Sequence, residues 1–253
     1  MAKPAKIIDG KNYGSIPHLP GSKKDQHDKY LHDGQVRILE NGGRDKHDKI
    51  YLSVKLDGTN VGVLKKGGEL VALQRKGYAC IDSPYQQHQA FATWVKEPRN
   101  TIRLNRLLDE GERLVGEWLW QASGIQYTFA HANIDPFVAF DQFKADGERY
   151  QWEELLLNCQ MAGIQVPVNV KLNSFSVDKD ADDSLDRFRS WCNPFIPFPA
   201  GTRHEGVVVR LERKSKLDFM AKWVRSDFVP GRFLPGIGLP EDSSIVINNY
   251  NLQ

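Results

Sequence analysis

Apolar and polar positions alternate sharply from residue 50 onward and only weakly before it. The stretch IYLSVKLDG, starting at Ile50, has the period of two that a half-buried strand requires and runs into a glycine turn. NVGVLKK and ELVALQRK flank Gly67-Gly68, the pattern of two strands joined by a tight turn. QQHQAFATWVKE places Phe91, Trp94 and Val95 on one helical face, and Pro98 reads as its stop. TIRLNRLLDEG reads as a second helix ended by Gly111. RLVGEWLW and PFVAFDQF have strand patterns, WEELLLNCQMAG is a helix closed by Gly163, and QVPVNVKL is a further strand. DSLDRFRSW is a short helix started by Asp183 or Ser184. HEGVVVRLE and DFMAKWVR are the last strands. Strands and hairpins interrupted by pairs of helices make an α+β order. Without regular βαβ alternation, and without a GxGxxG or GxxxxGK[ST] loop, the common dinucleotide and P-loop folds are excluded.

Residues 1–49 lack such periodicity. GSKKDQHDKYLHDG and NGGRDKHDK read as solvated loops. Four of the seven histidines lie here (His18, His27, His32, His47), but their spacing fits no common metal template, so solvated surface is the expectation. The expected organisation is a basic, loop-rich segment over 1–49 packed on the core, a main domain over 50–230 and a tail over 231–253.

Composition narrows the class. A hydrophobic share of 40% is ordinary for a globular chain, and a net charge of +2 excludes a wholesale polycation. Cys80, Cys159 and Cys192 are far apart, so neither a disulfide framework nor a structural zinc site is expected, and a cytoplasmic location is. No apolar run approaches membrane-helix length, and MAKPAKIIDG has no signal-peptide core. Charge is uneven locally: residues 203–225 hold seven Lys/Arg against three acids, which suits a phosphate-binding face as well as a solvated strand.

The chemistry-bearing residues come in an ordered series. Lys55 ends a strand in Lys55-Leu56-Asp57-Gly58-Thr59-Asn60. Arg75 follows the next hairpin strand, and Glu117 sits in Gly116-Glu117-Trp118. Phe140-Asp141 lies in FVAFDQF, Glu205-Gly206 opens EGVVVR, and Lys222 sits in the last strand. Singly, each has a plain structural alternative. Glu117 and Glu205 can be strand ends, Phe140 core, Arg75 a hairpin surface charge, and Lys216 a rival to Lys222. Trp118 and Trp120 read as core.

In this order the motifs resemble the covalent nucleotidyltransferases: ATP-dependent DNA ligases, RNA ligases and capping enzymes. KLDGTN is most similar to RNA ligases of the type-2-like kind. The resemblance spans roughly residues 50–225. It implies an adenylyltransferase (ATP-grasp-like ligase) domain with antiparallel sheets flanked by helices. It implies an ATP-dependent RNA ligase that joins 3′-hydroxyl and 5′-phosphate ends through a lysyl-AMP. By this resemblance Lys55 would carry AMP, and Asp57, Gly58 and Asn60 would shape the loop, Asn60 also placing the nick. Arg75 would meet a phosphate, and Phe140 would stack on the purine. Glu117 would hold the ribose or the metal, Glu205 the metal, and Lys222 the α-phosphate. Carboxylates suit a hard cation such as Mg²⁺ or Mn²⁺, and a lysine nucleophile must lose its proton, which neighbouring cations or desolvation promote. The implied partner is nucleic acid, RNA first, with a monomer expected. A DNA ligase, a capping enzyme and a non-catalytic nucleic-acid-binding module are the alternatives.

Two departures stand out. The family's final motif carries two lysines spaced KxK, whereas this chain has Lys222-Trp223-Val224-Arg225, with Arg225 one place late. Only 31 residues follow Lys222, too few for an OB-fold, so none is expected C-terminally. Lys23, Lys24, Lys29, Arg44 and Lys46 are then the candidates to cover a triphosphate or nucleic acid.

Overall fold

The computed structural model describes residues 5–129, 135–175 and 204–250. The helix expected at DSLDRFRSW and Cys192 lie outside them. Two compact units share the chain: Met1–Gly14, Gly58–Gln121 and Asp135–Val166 form one, and Ser15–Asp57, Ala122–Ile134 and Pro167–Gln253 the other. They are called here the Glu117 unit and the Lys55 unit.

The Lys55 unit is built on an antiparallel sheet. β1 (Asp48–Lys55), β7 (Asn169–Leu172), β8 (Gly206–Arg213) and β9 (Lys216–Val224) lie in the order β7-β1-β8-β9. Because side chains alternate along a strand, Ile50, Leu52 and Val54 share one face with Val207, Val209, Leu211, Ala221 and Trp223. That face is the core, closed by Leu19, Leu31, Val36, Leu39 and Phe175. The opposite face carries Tyr51, Ser53, Lys55, Val208, Arg210, Glu212 and Lys222. A short parallel pair, β5 (Thr128–Phe129) with β10 (Asn249–Tyr250), completes the unit's strands.

The segment before β1 is more ordered than its composition suggests. It contains helix α1 (Asp33–Glu40), whose Val36 and Leu39 are buried one helical turn apart. DGQVRILE has only three apolar residues, too few for a periodic signal; the helix forms because tertiary burial of those residues outweighs the weak local pattern.

The Glu117 unit holds a second antiparallel sheet, from β2 (Thr59–Lys66), β3 (Glu69–Gln74), β4 (Arg113–Trp118) and β6 (Phe137–Phe143), in the order β3-β2-β4-β6. The β2–β3 turn needs positive φ at Gly67 and Gly68 (62° and 78°), and the Glu110 carboxylate accepts both of their N–H groups. Helices α2 (Gln86–Lys96), α3 (Pro98–Leu107) and α4 (Trp152–Ala162) belong to this unit. Phe91 and Trp94 of α2 form an aromatic cluster with Trp118 and Phe137, ring centroids 5.2–5.7 Å apart. Pro98 does more than stop α2: it opens α3, because the first helical position needs no N–H. α3 ends at Leu107, and Gly111 (φ 82°) turns the chain into β4 instead of capping the helix. α4 ends at Gly163 in the left-handed conformation, as the sequence indicates.

Gly206 fixes how closely β8 and β9 approach. A Cβ there would lie 1.8 Å from the Trp223 carbonyl oxygen. Gly206→Ala is therefore expected to cost about 2 kcal/mol or more. Thermal unfolding checks this: the midpoint should drop by about 4 °C or more.

Candidate active site

Lys55 closes β1 opposite Gly206, which is itself opposite Val224 of β9. One row further into the sheet, Ser53, Val208 and Lys222 lie side by side on the same face. The register thus sets Glu205, the residue before β8, beside the end of β1. The Lys55 Nζ donates to Glu205 Oε2 at 2.5 Å, with both side chains mostly shielded (22% and 11% exposed). Burial pushes the Glu205 carboxyl above its ordinary range. Lys55 opposes that push, Asp57 adds to it, and Lys222 opposes it in turn. Lys216 sits at the other end of β9 and is exposed, so Lys222 is the lysine on this constellation.

The N-terminal segment adds two residues that the sequence reading assigned to solvated surface. His18 is buried, its Nε2 is 2.9 Å from Asp28 Oδ2, and its Nδ1 is 2.7 Å from Ser22 Oγ. The same Asp28 oxygen lies 3.8 Å from Lys222 Nζ. Burial lowers the His18 pKa, with Lys222 and, more weakly, Lys55 acting the same way against Asp28. Burial alone would raise the Asp28 carboxyl, but Lys222 and the His18 hydrogen bond hold it below its usual value. No sequence spacing announces this pair. His27, His32 and His47 are exposed, as expected. Of the basic residues proposed to cover a phosphate, Lys23 donates to the Phe228 carbonyl and Lys24 to that of Asp28. Arg44 pairs with Asp48 and Asp218, and Lys29 and Lys46 are exposed.

Asp57 is buried, and its carboxylate accepts the N–H groups of Gly124 (2.6 Å) and Ile125 (2.8 Å), while its own N–H donates to the Tyr127 hydroxyl. It ties the loop after β1 to residues 124–127. Arg225 lies beyond β9 and does not take the missing lysine's place in the strand. Its Nε donates to the His204 carbonyl and its backbone N–H to that of Glu205.

The remaining candidates lie in the Glu117 unit. Glu117 Oε1 accepts the Gly58 N–H at 3.1 Å, and Asn60 is the cross-strand partner of Glu117. The Asn60 Oδ1 is buried without a hydrogen-bond partner among the described residues. Phe140 falls at the irregularity where β4 shifts register against β6. It is half-buried, with the Tyr13 ring edge-on at 5.1 Å. Arg75 is exposed in the turn after β3, where its carbonyl accepts the Asn12 N–H. Trp118 is core, as expected.

The family model for RNA ligase matches residues 48–224, more than two thirds of the chain and every strand just named from β1 to β9. The chain belongs to the RNA ligase family. Solved structures similar to this RNA ligase family member include an archaeal ATP-dependent RNA ligase (15% identity, TM-score 0.44, covering 84% of this chain and 48% of that one). A Naegleria gruberi RNA ligase variant with ATP and Mn matches at 13% identity and TM-score 0.48, with coverages of 88% and 60%. A putative ATP-dependent DNA ligase from Aquifex aeolicus matches at 17% and 0.45, with coverages of 84% and 49%. The chain spans about half to three fifths of the length of these structures. No curated protein matches it.

His204, next to Glu205, is buried, and burial lowers its pKa from 6.5 to about 3. Its neutral form is what the fold accepts, so stability is fully present above pH 6.5 and is lost as pH falls toward 3. The loss is expected to approach roughly 1.4 kcal/mol per pH unit in that window. Unfolding midpoints measured from pH 7 to pH 4.5 should fall in the wild type and fall less steeply in His204→Asn.

Proposed function

We propose that this member of the RNA ligase family is an ATP-dependent ligase that joins RNA ends through a covalent adenylate on Lys55. The observation that carries the reading is the hydrogen-bonded contact of Lys55 with the buried Glu205, on a sheet face that also presents Lys222. A bare surface lysine would have no such surroundings. Two ammonium groups on one face supply the positive potential a triphosphate needs.

The chemistry follows from these groups. The Lys55 ammonium is inert until it gives up a proton, and Glu205, whose carboxyl burial pushes up, is in hydrogen-bond contact to receive it. The amine then attacks the α-phosphorus of ATP. The N–P bond forms, the bond from the α-phosphorus to the bridging oxygen breaks, and pyrophosphate leaves. Lys222 stabilises charge on the non-bridging oxygens. An RNA 5′-phosphate oxygen next displaces Lys55 from the α-phosphorus. A 3′-hydroxyl finally attacks the 5′-phosphate and releases AMP.

Asp57 and Gly58 hold the loop that follows the nucleophile, and Asn60 serves the end to be joined. Arg75 is assigned a phosphate, Phe140 the purine face and Glu117 the ribose hydroxyls. A divalent ion, Mg²⁺ or Mn²⁺, fits the carboxylate chemistry of the donor set. Among the described residues no group of three or more His, Cys, Asp or Glu side chains is placed to share a metal. A single carboxylate, with Glu205 the first candidate, suits a hard cation that takes its other ligands from phosphates and water. Such an ion would neutralise phosphoryl charge when bound.

Incubation with α-labelled ATP and magnesium, followed by a denaturing gel, tests the proposal. Wild-type protein is expected to retain label and Lys55→Ala to retain none. Glu205→Gln should label at least about a hundredfold more slowly. Label from GTP instead of ATP, or label that persists in Lys55→Ala, would sink the reading. Sealing of nicked duplexes with RNA or DNA 3′-hydroxyl strands then decides the substrate, with RNA expected to be joined faster.

A further inference from the structure

We propose that Asp28, held by His18 and Ser22, is a positioning residue for Lys222, and that the N-terminal segment thereby contributes to adenylate transfer. This rests on the reading of Lys222 as the α-phosphate contact.

The argument begins with the backbone. Residues 17–19 run beside β9 as an added parallel strand: the Lys222 N–H donates to the Pro17 carbonyl (2.9 Å), and the Leu19 N–H to that of Lys222 (2.8 Å). On the other side of this strand, His18 exchanges backbone hydrogen bonds with Lys29 and Leu31, both 2.7 Å. Asp28 is therefore placed relative to Lys222 by a continuous hydrogen-bonded ladder.

The side chains close a second connection. The Val224 N–H donates to Ser22 Oγ at 2.9 Å. A carboxylate can only accept, so His18 Nε2 carries the proton shared with Asp28, and Nδ1 faces the Ser22 hydroxyl, which also lies 3.3 Å from the Lys23 carbonyl. The chain Val224–Ser22–His18–Asp28 starts on the backbone of β9 and returns to the side chain of the same strand at Lys222. Each member is held by a hydrogen bond to the next, which places the carboxylate on the Lys222 side of His18. His18 is 2% exposed, which shields its bond to Ser22 from water, while the Asp28 side chain is 34% exposed.

The distance decides what the carboxylate does. At 3.8 Å from Lys222 Nζ it lies within ion-pair range, yet beyond a direct hydrogen bond. An ammonium has three donors. A carboxylate so placed restrains the flexible lysine stem through charge without taking up those donors. The entropy of fixing a long side chain is then met before the nucleotide arrives, which is the condition for fast phosphoryl transfer.

A double-mutant cycle tests this in the full chain. Rates of Lys55 labelling by ATP are measured for wild type, Asp28→Asn, Lys222→Ala and the double variant, with Lys55→Ala as the blank. Asp28→Asn is expected to slow labelling at saturating ATP by about tenfold or more. In the Lys222→Ala background the same change should alter the rate less than about twofold, because the residue it acts through is gone. Equal losses in the two backgrounds, no loss in Asp28→Asn, or a faster rate would each overturn the proposal. Asp28→Ser, taken through the same cycle, separates the result from any folding defect peculiar to the amide. A wild type that fails to label would instead bring down the proposed function, and this inference with it.

Discussion

The register of β1, β8 and β9 is the constraint on which the rest depends. Side chains alternate with a period of two, so a slip of one residue in either pairing would carry Lys55 or Lys222 to the apolar face. The core opposes such a slip: Ile50, Leu52, Val54, Val207, Val209, Leu211, Ala221 and Trp223 are buried together in the observed alignment, and a one-residue shift would turn a strand's share of them to the other face. Hydrophobic burial on one face of the sheet thereby dictates the spacing of charges on the other. Gly206, between Lys55 and Val224, lets the three strands pass where a side chain would not fit.

Charge on that polar face is arranged in opposed pairs. Lys55 meets Glu205 at 2.5 Å and Lys222 stands 3.8 Å from Asp28. The two contacts differ in kind. The first is close and shielded, where desolvation works against both ions and burial pushes the carboxyl up. The second is longer and involves a carboxylate that Lys222 and the His18 hydrogen bond hold below its usual range. The surroundings of Lys55 and Lys222 thus differ, although both lysines stand on one face of one sheet.

The sequence made the strands with strong alternation legible, from IYLSVK to DFMAKW, because a half-buried sheet imposes a period of two on the order of apolar and polar residues. The order of the motifs made Lys55, Glu205 and Lys222 legible as a set. What it did not reveal was order in residues 15–40. Helix α1 has three apolar residues, and His18 and Asp28 are ten apart in a polar stretch. Their partnership comes from the segment pairing with β9, a contact between residues about 200 positions apart that no local pattern encodes. Pro98 was read as a stop because proline terminates helices, although its fixed φ serves equally well to begin one.

Lys55-Leu56-Asp57-Gly58-Thr59-Asn60 shows why a short motif carries so much. The boundary between the two compact units falls between Asp57 and Gly58. On one side the Asp57 carboxylate is bound by two N–H groups of the Lys55 unit. On the other the Gly58 N–H is bound by Glu117 of its own unit, and a Cβ at Gly58 would lie 2.6 Å from the Trp118 carbonyl oxygen. An acid able to accept twice and a residue without a side chain are both demanded by local contacts within three positions of Lys55. These demands are structural before they are catalytic. A search for the motif therefore finds the passage of the chain from one sheet to the next, and the lysine at the end of β1 is found with it.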